Sequence, residues 1–138
     1  MRWVLDTNLL FAAVYKGHEH HAPTRAWLDK VKGDGWGVAA ESFVSTARLL
    51  MNRTVMKGFP LKAPEALRLL RSEMAGLHPG RIITDVSPSD RFLERAQGHK
   101  QMMDFFLVNV AVESGAKFAT RDGGILAEWP EFTQKIGE

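Results

Sequence analysis

Near its start the chain reads Arg2-Trp3-Val4-Leu5-Asp6-Thr7-Asn8-Leu9-Leu10, so that an apolar triplet runs straight into polar residues. A short apolar strand followed by a carboxylate is how open α/β sheets present functional groups at the carboxyl ends of their strands. Asp is also a common helix N-cap, and the leucines that follow begin a helical spacing. This stretch alone leaves two interpretations of Asp6, a functional carboxylate or a plain N-cap.

The composition is that of an ordinary globular protein, with 138 residues of which 45% are hydrophobic and 25% are charged. This length predicts a single domain over residues 1–138. We expect no membrane partner and no signal peptide, because no apolar run is long enough and Asp6 and Asn8 interrupt the early one. The chain has no cysteine, which excludes a disulfide framework and a thiol nucleophile and fits a cytoplasmic location. The net charge of +2 permits a nucleic-acid partner without requiring one.

Short apolar segments alternate with helical patterns along the chain. Strands are predicted over residues 3–5, 36–40, 81–86 and 117–120, with a possible edge strand over 131–136. Helices are predicted over 8–15, 23–32, from 41, from 64, over 88–98 and 102–114, with a helical turn at 125–128. This alternation predicts an α/β fold in which helices cover both faces of a parallel-dominated sheet of four or five short strands.

Two further acids lie where they could approach Asp6. Asp122 follows the fourth predicted strand, and the loops after parallel strands lie together at one edge of a sheet. Asp104 begins the most apolar helix and shares the face of Leu107 and Val108. An ionised carboxylate on an inward face must be paired, hydrogen-bonded or bound to a metal. Taken singly, Asp104 and Asp122 could each be a helix cap.

Three carboxylates in one site need a counter-charge, because like charges raise one another's pKa and resist joint ionisation. A divalent ion supplies it, and oxygen ligands without cysteine favour Mg²⁺ or Mn²⁺ over zinc. Such a site activates water and stabilises the charge that develops during phosphodiester hydrolysis. The pattern therefore predicts a metal-dependent hydrolase with Asp6, Asp104 and Asp122 as catalytic metal ligands.

Three motifs together carry a resemblance to a known family: Leu5-Asp6-Thr7-Asn8, Asp104-Phe105-Phe106-Leu107-Val108 and Phe118-Ala119-Thr120-Arg121-Asp122. They resemble the PIN-domain ribonucleases, and the VapC toxins of bacterial toxin–antitoxin pairs are the most similar class. The resemblance covers nearly the whole chain and implies a PIN-like three-layer α/β/α fold. It also implies a Mg²⁺- or Mn²⁺-dependent endoribonuclease that acts on RNA, is usually a homodimer and is inhibited by a cognate antitoxin.

The chain departs from the family in the third predicted helix, where members usually carry an inward-facing Glu. The matching stretch reads Val44-Ser45-Thr46-Ala47-Arg48 and holds no acid. Glu41 stands about one turn earlier, where it is either a substitute ligand or a first-turn acid favoured by the helix dipole. Without Glu41, the three aspartates and waters would still suffice for Mg²⁺.

Polar neighbours of the acids are candidates for holding them in place. Thr7 and Asn8 can hydrogen-bond the Asp6 carboxylate or a bound water, and Thr120 can do the same from its position two residues before Asp122. The alternative for all three is turn chemistry, which Asn and Thr supply routinely.

Arginines near the acids are candidate RNA contacts, namely Arg48, Arg53 and Arg121, and phosphate contacts from them would make binding sensitive to salt.

Two other functions stay open at this point. One is a non-catalytic PIN-like domain that binds RNA or a protein, which the missing Glu favours. The other is a metal phosphohydrolase that acts on small phosphoesters, although Asp-Thr-Asn lacks the second acid usual in a phosphotransfer motif.

Overall fold

The computed structural model describes residues 1–87, 89–91, 93–96 and 98–136, and a sheet of five short strands lies at its centre. The strands are β1 (Trp3–Leu5), β2 (Trp36–Ala39), β3 (Arg81–Ile83), β4 (Lys117–Thr120) and β5 (Thr133–Lys135). All neighbouring strands are parallel, and their order across the sheet is β3-β2-β1-β4-β5. The predicted parallel-dominated sheet is therefore confirmed, including its edge strand near the C-terminus.

Helices connect these strands and cover the sheet. The described residues form α1 (Thr7–Val14), α2 (His21–Val31), α3 (Ala40–Leu50), α4 (Ala63–Ala75), α5 (Met102–Glu113) and α6 (Gly123–Glu128). None of these helices is long and apolar enough to cross a membrane.

The two faces of the sheet carry different helices because side chains alternate along each strand. Leu5 and Ala119 are paired across β1 and β4, and both pack into the cluster that contains side chains of α1 to α4. Val4 and Phe118 are paired one residue earlier and pack on the other face, with α5 and α6. The α/β/α layering expected from the resemblance is thus confirmed.

The centre of the sheet is the point where the strand order reverses. The chain builds β2 and β3 outward on one side of β1 and then places β4 on the other side. The backbone N–H of Asp6 donates to the carbonyl oxygen of Ala119 at 2.9 Å, which ties the end of β1 to β4. In open α/β sheets, ligands bind outside the carboxyl ends of the strands at such a reversal.

The helix predicted over residues 88–98 is wrong where the structure describes this segment, because the regular element there is a short 3₁₀ turn, Leu93–Arg95. Residues 88, 92 and 97 of that prediction lie outside the described residues. The Arg95 guanidinium lies 2.6 Å from a carboxylate oxygen of Glu131, just before β5. This long-range ion pair has no signal in local periodicity.

A buried side chain of α5 forms hydrogen bonds with the same segment. Asn109 is fully buried, its Oδ1 accepts a hydrogen bond from the backbone N–H of Ser89 at 3.1 Å, and its Nδ2 donates to Ser89 Oγ at 2.9 Å. The third strand is also shorter than predicted, ending at Ile83 instead of residue 86. The connection from β3 to α5 therefore depends on tertiary contacts more than on local propensity.

Candidate active site

Asp6 lies at the end of β1 with both carboxylate oxygens engaged. It is the N-cap of α1, as one of the two interpretations predicted, and its Oδ1 accepts a hydrogen bond from the backbone N–H of Thr7 at 2.7 Å. Its Oδ2 accepts from the hydroxyl of Thr120 at 2.6 Å. Since the residue is only 7% exposed, these contacts fix the carboxylate at the point where the strand order reverses.

The Thr120 hydroxyl also joins Asp6 to Asp122. Thr120 is fully buried at the end of β4, and its Oγ1 accepts a hydrogen bond from the backbone N–H of Asp122 at 2.9 Å. Asp122 in turn caps α6, because its Oδ1 accepts from the backbone N–H of Ile125 at 3.0 Å. The Thr120 hydroxyl therefore connects the Asp6 carboxylate to the backbone of Asp122, at the ends of β1 and β4.

Asp104 lies in the first turn of α5, and electrostatics connect it to the other two acids. Burial raises the pKa of Asp104 above its ordinary value, and the charge of Asp122 raises it further. Burial is also the main cause that raises the pKa of Asp6, and the charges of Asp122 and Asp104 add to it. Hydrogen bonds from Thr120 and Thr7 lower the pKa of Asp6 and offset part of this effect. The three carboxylates thus crowd one another.

The donor chemistry of this region fits a hard divalent cation. None of the three aspartates forms an ion pair with a Lys, Arg or His of the described residues. Over the same residues, no group of three His, Cys, Asp or Glu side chains is arranged so that it could hold an ion by itself. Mg²⁺ is commonly bound through one or two carboxylates with waters in its remaining positions. An ion bound in this region would therefore be held by one or two of the aspartates and by waters, a mode of binding that Mg²⁺ and Mn²⁺ accept.

Glu41 lies apart from the hydrogen-bonded network. It is exposed in the first turn of α3 and lines a shallow depression together with Val44 and Met103. Met103 directly precedes Asp104, so Glu41 lies near the start of α5. Among the described residues, Glu41 forms no hydrogen bond with any of the three aspartates. Its role as a substitute ligand stays a prediction.

A groove of about 580 Å³ lies beside the acids, between the start of α1 and the second half of α3. We call it the α1–α3 groove, and it is lined by Thr7, Asn8, Ser45, Arg48, Leu49, Met51 and Asn52. It adjoins the acids because Thr7 donates its backbone N–H to Asp6. Of the predicted RNA contacts, Arg48 lines this groove and Arg53 does not.

Two groove residues, Ser45 and Asn52, were missed in the sequence. A signal exists for Ser45, because it lies three residues before Arg48 on the same face of α3, whereas Asn52 follows the end of α3 at Leu50 and has no such signal. What the sequence does not show is that this face of α3 meets the start of α1.

Arg121 lies directly before Asp122 with part of its guanidinium buried. Its Nε and Nη2 are buried without a hydrogen-bond partner among the described residues, and burial lowers the pKa of this arginine. Buried donors without partners are costly, so Arg121 has donors to offer to a ligand. Its role as an RNA contact stays a prediction.

The family model of the PIN domain matches residues 3–128 of the chain. This match covers all of β1 to β4 and both strand ends that carry the aspartates. The chain therefore belongs to the PIN domain family, as the three motifs indicated.

Within that family the chain is similar to proteins named VapC. Ribonuclease VapC41 of Mycobacterium tuberculosis (strain ATCC 25618 / H37Rv) is 30% identical over 129 residues, covering 85% of this chain and 86% of that protein. Ribonuclease VapC39 of the same strain is 26% identical over 129 residues, covering 91% of each chain. Ribonuclease VapC38 is 27% identical over 122 residues, covering 88% of this chain and 86% of that protein. The resemblance to the VapC class is thus confirmed over most of the chain.

Proposed function

We propose that the protein is a Mg²⁺- or Mn²⁺-dependent endoribonuclease of the VapC toxin type. The observation that carries the proposal is the hydroxyl of Thr120, which joins Asp6 at the end of β1 to Asp122 at the end of β4. The charge of Asp104 also acts on the Asp6 carboxylate, whose pKa it raises. The chain matches proteins named ribonucleases over most of their length, and this similarity supports RNA as the substrate.

In this proposal Asp6, Asp104 and Asp122 hold the divalent ion, either directly or through its bound waters. When bound, such an ion supplies an activated water and stabilises the charge that develops on the phosphate. The chain's own part is to fix the carboxylates, which Thr120 and the backbone of Thr7 do for Asp6. No covalent intermediate is expected, because no activated nucleophile lies in this region.

Arginines around the acids would bind the RNA backbone. Arg48 in the α1–α3 groove and Arg121 with its unpartnered donors are the better supported of the three candidates. Arg53 lies in the turns that follow α3 and has no such support beyond its charge. Asn8 would contact a bound water or the substrate from the start of α1.

The proposal includes partners of the VapC class. A cognate antitoxin would hold the nuclease inactive, and the protein would act as a homodimer in the cytoplasm, where its RNA substrate lies. Support for a protein contact comes from exposed apolar side chains near the acids, Val44 on α3 and Met102 and Met103 on α5. These side chains line two adjoining depressions that share Glu41 and Met103.

The test is RNA cleavage with added Mg²⁺ or Mn²⁺, comparing the native chain with Asp6→Asn and Asp104→Asn. We expect the native chain to cleave with either ion and to stop in EDTA, and each variant to lose roughly 100-fold or more in rate, on the order of 3 kcal/mol of transition-state stabilisation. Asp29→Asn is the matched control, because Asp29 is exposed on α2 and its carboxylate pairs with Lys32 of the same region at 3.2 Å. Cleavage that is equal in the native chain and both variants would contradict the proposal.

A non-catalytic PIN-like domain that binds RNA or a protein is the second candidate. It is favoured by the lack of a three-residue cluster able to hold an ion among the described residues, and by the absence of acids from the α1–α3 groove. RNA binding without metal-dependent cleavage by the native chain would establish it.

A further inference from the structure

The α1–α3 groove differs from the acid site beside it in charge and shape. It contains one guanidinium, two side-chain amides and two hydroxyls, and no carboxylate lines it. Two apolar side chains, Leu49 and Met51, complete its wall. Its volume of about 580 Å³ lies within the range of clefts that bind small ligands, roughly 300–1,000 Å³.

The polar groups of the groove have unused hydrogen-bonding capacity. Arg48 is exposed and forms no ion pair with the described part of the chain. The Oδ1 of Asn52 accepts from the backbone N–H of Val55 at 2.9 Å, which orients this side chain and leaves its NH₂ group for a ligand. Asn8 is exposed in the first turn of α1.

These groups match the parts of a nucleotide. A guanidinium binds phosphate oxygens through two parallel N–H donors. Side-chain amides offer both a donor and an acceptor, which suits the edge of a base that is not paired. Apolar side chains such as Leu49 and Met51 can lie against the face of a base. Single-stranded RNA, whose bases are unpaired, presents all three features together.

We propose that the α1–α3 groove binds one nucleotide of single-stranded RNA, with Arg48 on its phosphate and the amides of Asn8 and Asn52 on its base. The inference rests on the proposed function, because it identifies this nucleotide as the neighbour of the phosphodiester held at Asp6. The groove begins at Thr7, whose backbone N–H donates to Asp6, so a strand that occupies the groove continues directly to the acids. The groove thereby contributes to which RNA sequences are cut.

The experiment measures the binding of a labelled single-stranded RNA of mixed sequence by fluorescence anisotropy, in EDTA and at several salt concentrations. We expect Arg48→Gln to weaken binding roughly five- to tenfold and to reduce the slope of log affinity against log salt by about 0.7, the value for one lost phosphate contact. Arg48→Lys should restore the slope, because it keeps the charge. The thermal unfolding midpoints of both variants should equal that of the native chain, since Arg48 is exposed.

The matched control is Arg71→Gln. Arg71 is an exposed arginine of α4 that lines a small depression with Pro79 and Gly80, just before β3 at the opposite end of the sheet. Its substitution removes the same charge and should change neither the affinity nor the slope by more than about a quarter of the Arg48 effect, since charges more than a Debye length away are screened.

Base recognition is tested separately with homopolymeric RNAs. Asn8→Ala should change the ranking of affinities for the homopolymers about three- to tenfold while the salt slope stays that of the native chain. An unchanged ranking would overturn the assignment of the Asn8 amide to the base.

If Arg48→Gln binds RNA with the affinity and the salt slope of the native chain, the proposal is wrong. This result is expected if the groove binds an antitoxin segment instead of RNA. The outcome is separate from that of the nuclease test. If Arg48 matters for binding but the native chain does not cleave RNA with metal, the groove proposal stands and the nuclease proposal fails. If the native chain cleaves and Arg48→Gln binds and cleaves equally well, the reverse holds.

Discussion

At the residue scale, the hydroxyl of Thr120 governs how the Asp6 carboxylate is held. It donates to Asp6 at 2.6 Å and accepts from the backbone of Asp122 at 2.9 Å, so it links residues from two strands that are adjacent in space but distant in sequence. Because it is a hydrogen bond to the charged form, it lowers the pKa of Asp6 against the effect of burial. The threonine thus helps a buried acid to stay ionised.

Replacing this hydroxyl tests the point. Thr120→Val keeps the shape but removes the donor, so the pKa of Asp6 rises further and a higher pH is needed to ionise it. We expect the acidic limb of the pH profile of kcat/KM for RNA cleavage to move to higher pH, with activity near neutrality reduced roughly 10- to 100-fold, or about 1.4 to 2.7 kcal/mol. Thr120→Ser, which keeps the hydroxyl, should retain the native profile. A valine variant with the native profile would show that the hydrogen bond does not tune Asp6.

At the element scale, the connection between β3 and α5 is held by residues distant from it in sequence. Asn109 of α5 makes two hydrogen bonds to Ser89, and Arg95 makes an ion pair with Glu131. The connection leads into α5, whose third residue is Asp104, so its anchoring bears on where this carboxylate lies.

Asn109 is the buried end of this anchoring and can be tested by substitution. Asn109→Ala removes both hydrogen bonds and leaves the backbone N–H of Ser89 without its acceptor, so we expect the free energy of unfolding to fall by about 2 kcal/mol. Ser89→Ala removes the hydrogen bond from Asn109 Nδ2 and the longer one from the exposed backbone N–H of Arg91 at 3.3 Å but keeps the bond from the Ser89 backbone, so it should cost less, about 1 kcal/mol. Urea unfolding of the two variants and the double variant measures their coupling, and equal effects of both single changes would argue against the anchoring role of Asn109.

The elements that could be predicted from sequence are those whose signal is local. The strands that end near Asp6 and Asp122 are short apolar runs, and α5 is apolar on most sides, so their burial follows from composition alone. Segment 88–98 has a helical pattern too, but its contacts with Asn109 and Glu131 decide its conformation where it is described. The α1–α3 groove escaped prediction for a similar reason, because it exists only once two helices have packed together.

At the scale of the whole molecule, the crowded acids carry a cost in stability when no cation is present. Burial raises the pKa of both Asp6 and Asp104 above the ordinary 3.8. A carboxyl whose pKa is higher in the folded than in the unfolded chain binds more protons when folded. The free energy of unfolding of the metal-free protein therefore falls as the pH rises from the pKa of the carboxyl in the unfolded chain to its higher pKa in the folded protein. Above this interval the destabilisation is fully present.

Asp104→Asn removes one of these charges without removing a hydrogen bond, so it isolates this cost. In EDTA at pH 7 we expect its thermal unfolding midpoint to lie a few degrees above that of the native chain, with the difference shrinking as the pH is lowered towards the ordinary carboxyl pKa. Added Mg²⁺ should stabilise the native chain by about 2.7 kcal/mol at one hundred times its dissociation constant, and the variant much less. Asp29→Asn serves as the control and should follow the native chain throughout. If Asp104→Asn is the less stable protein in EDTA, Asp104 does not crowd the other acids. If the variant gains as much stability from Mg²⁺ as the native chain, Asp104 does not bind the ion.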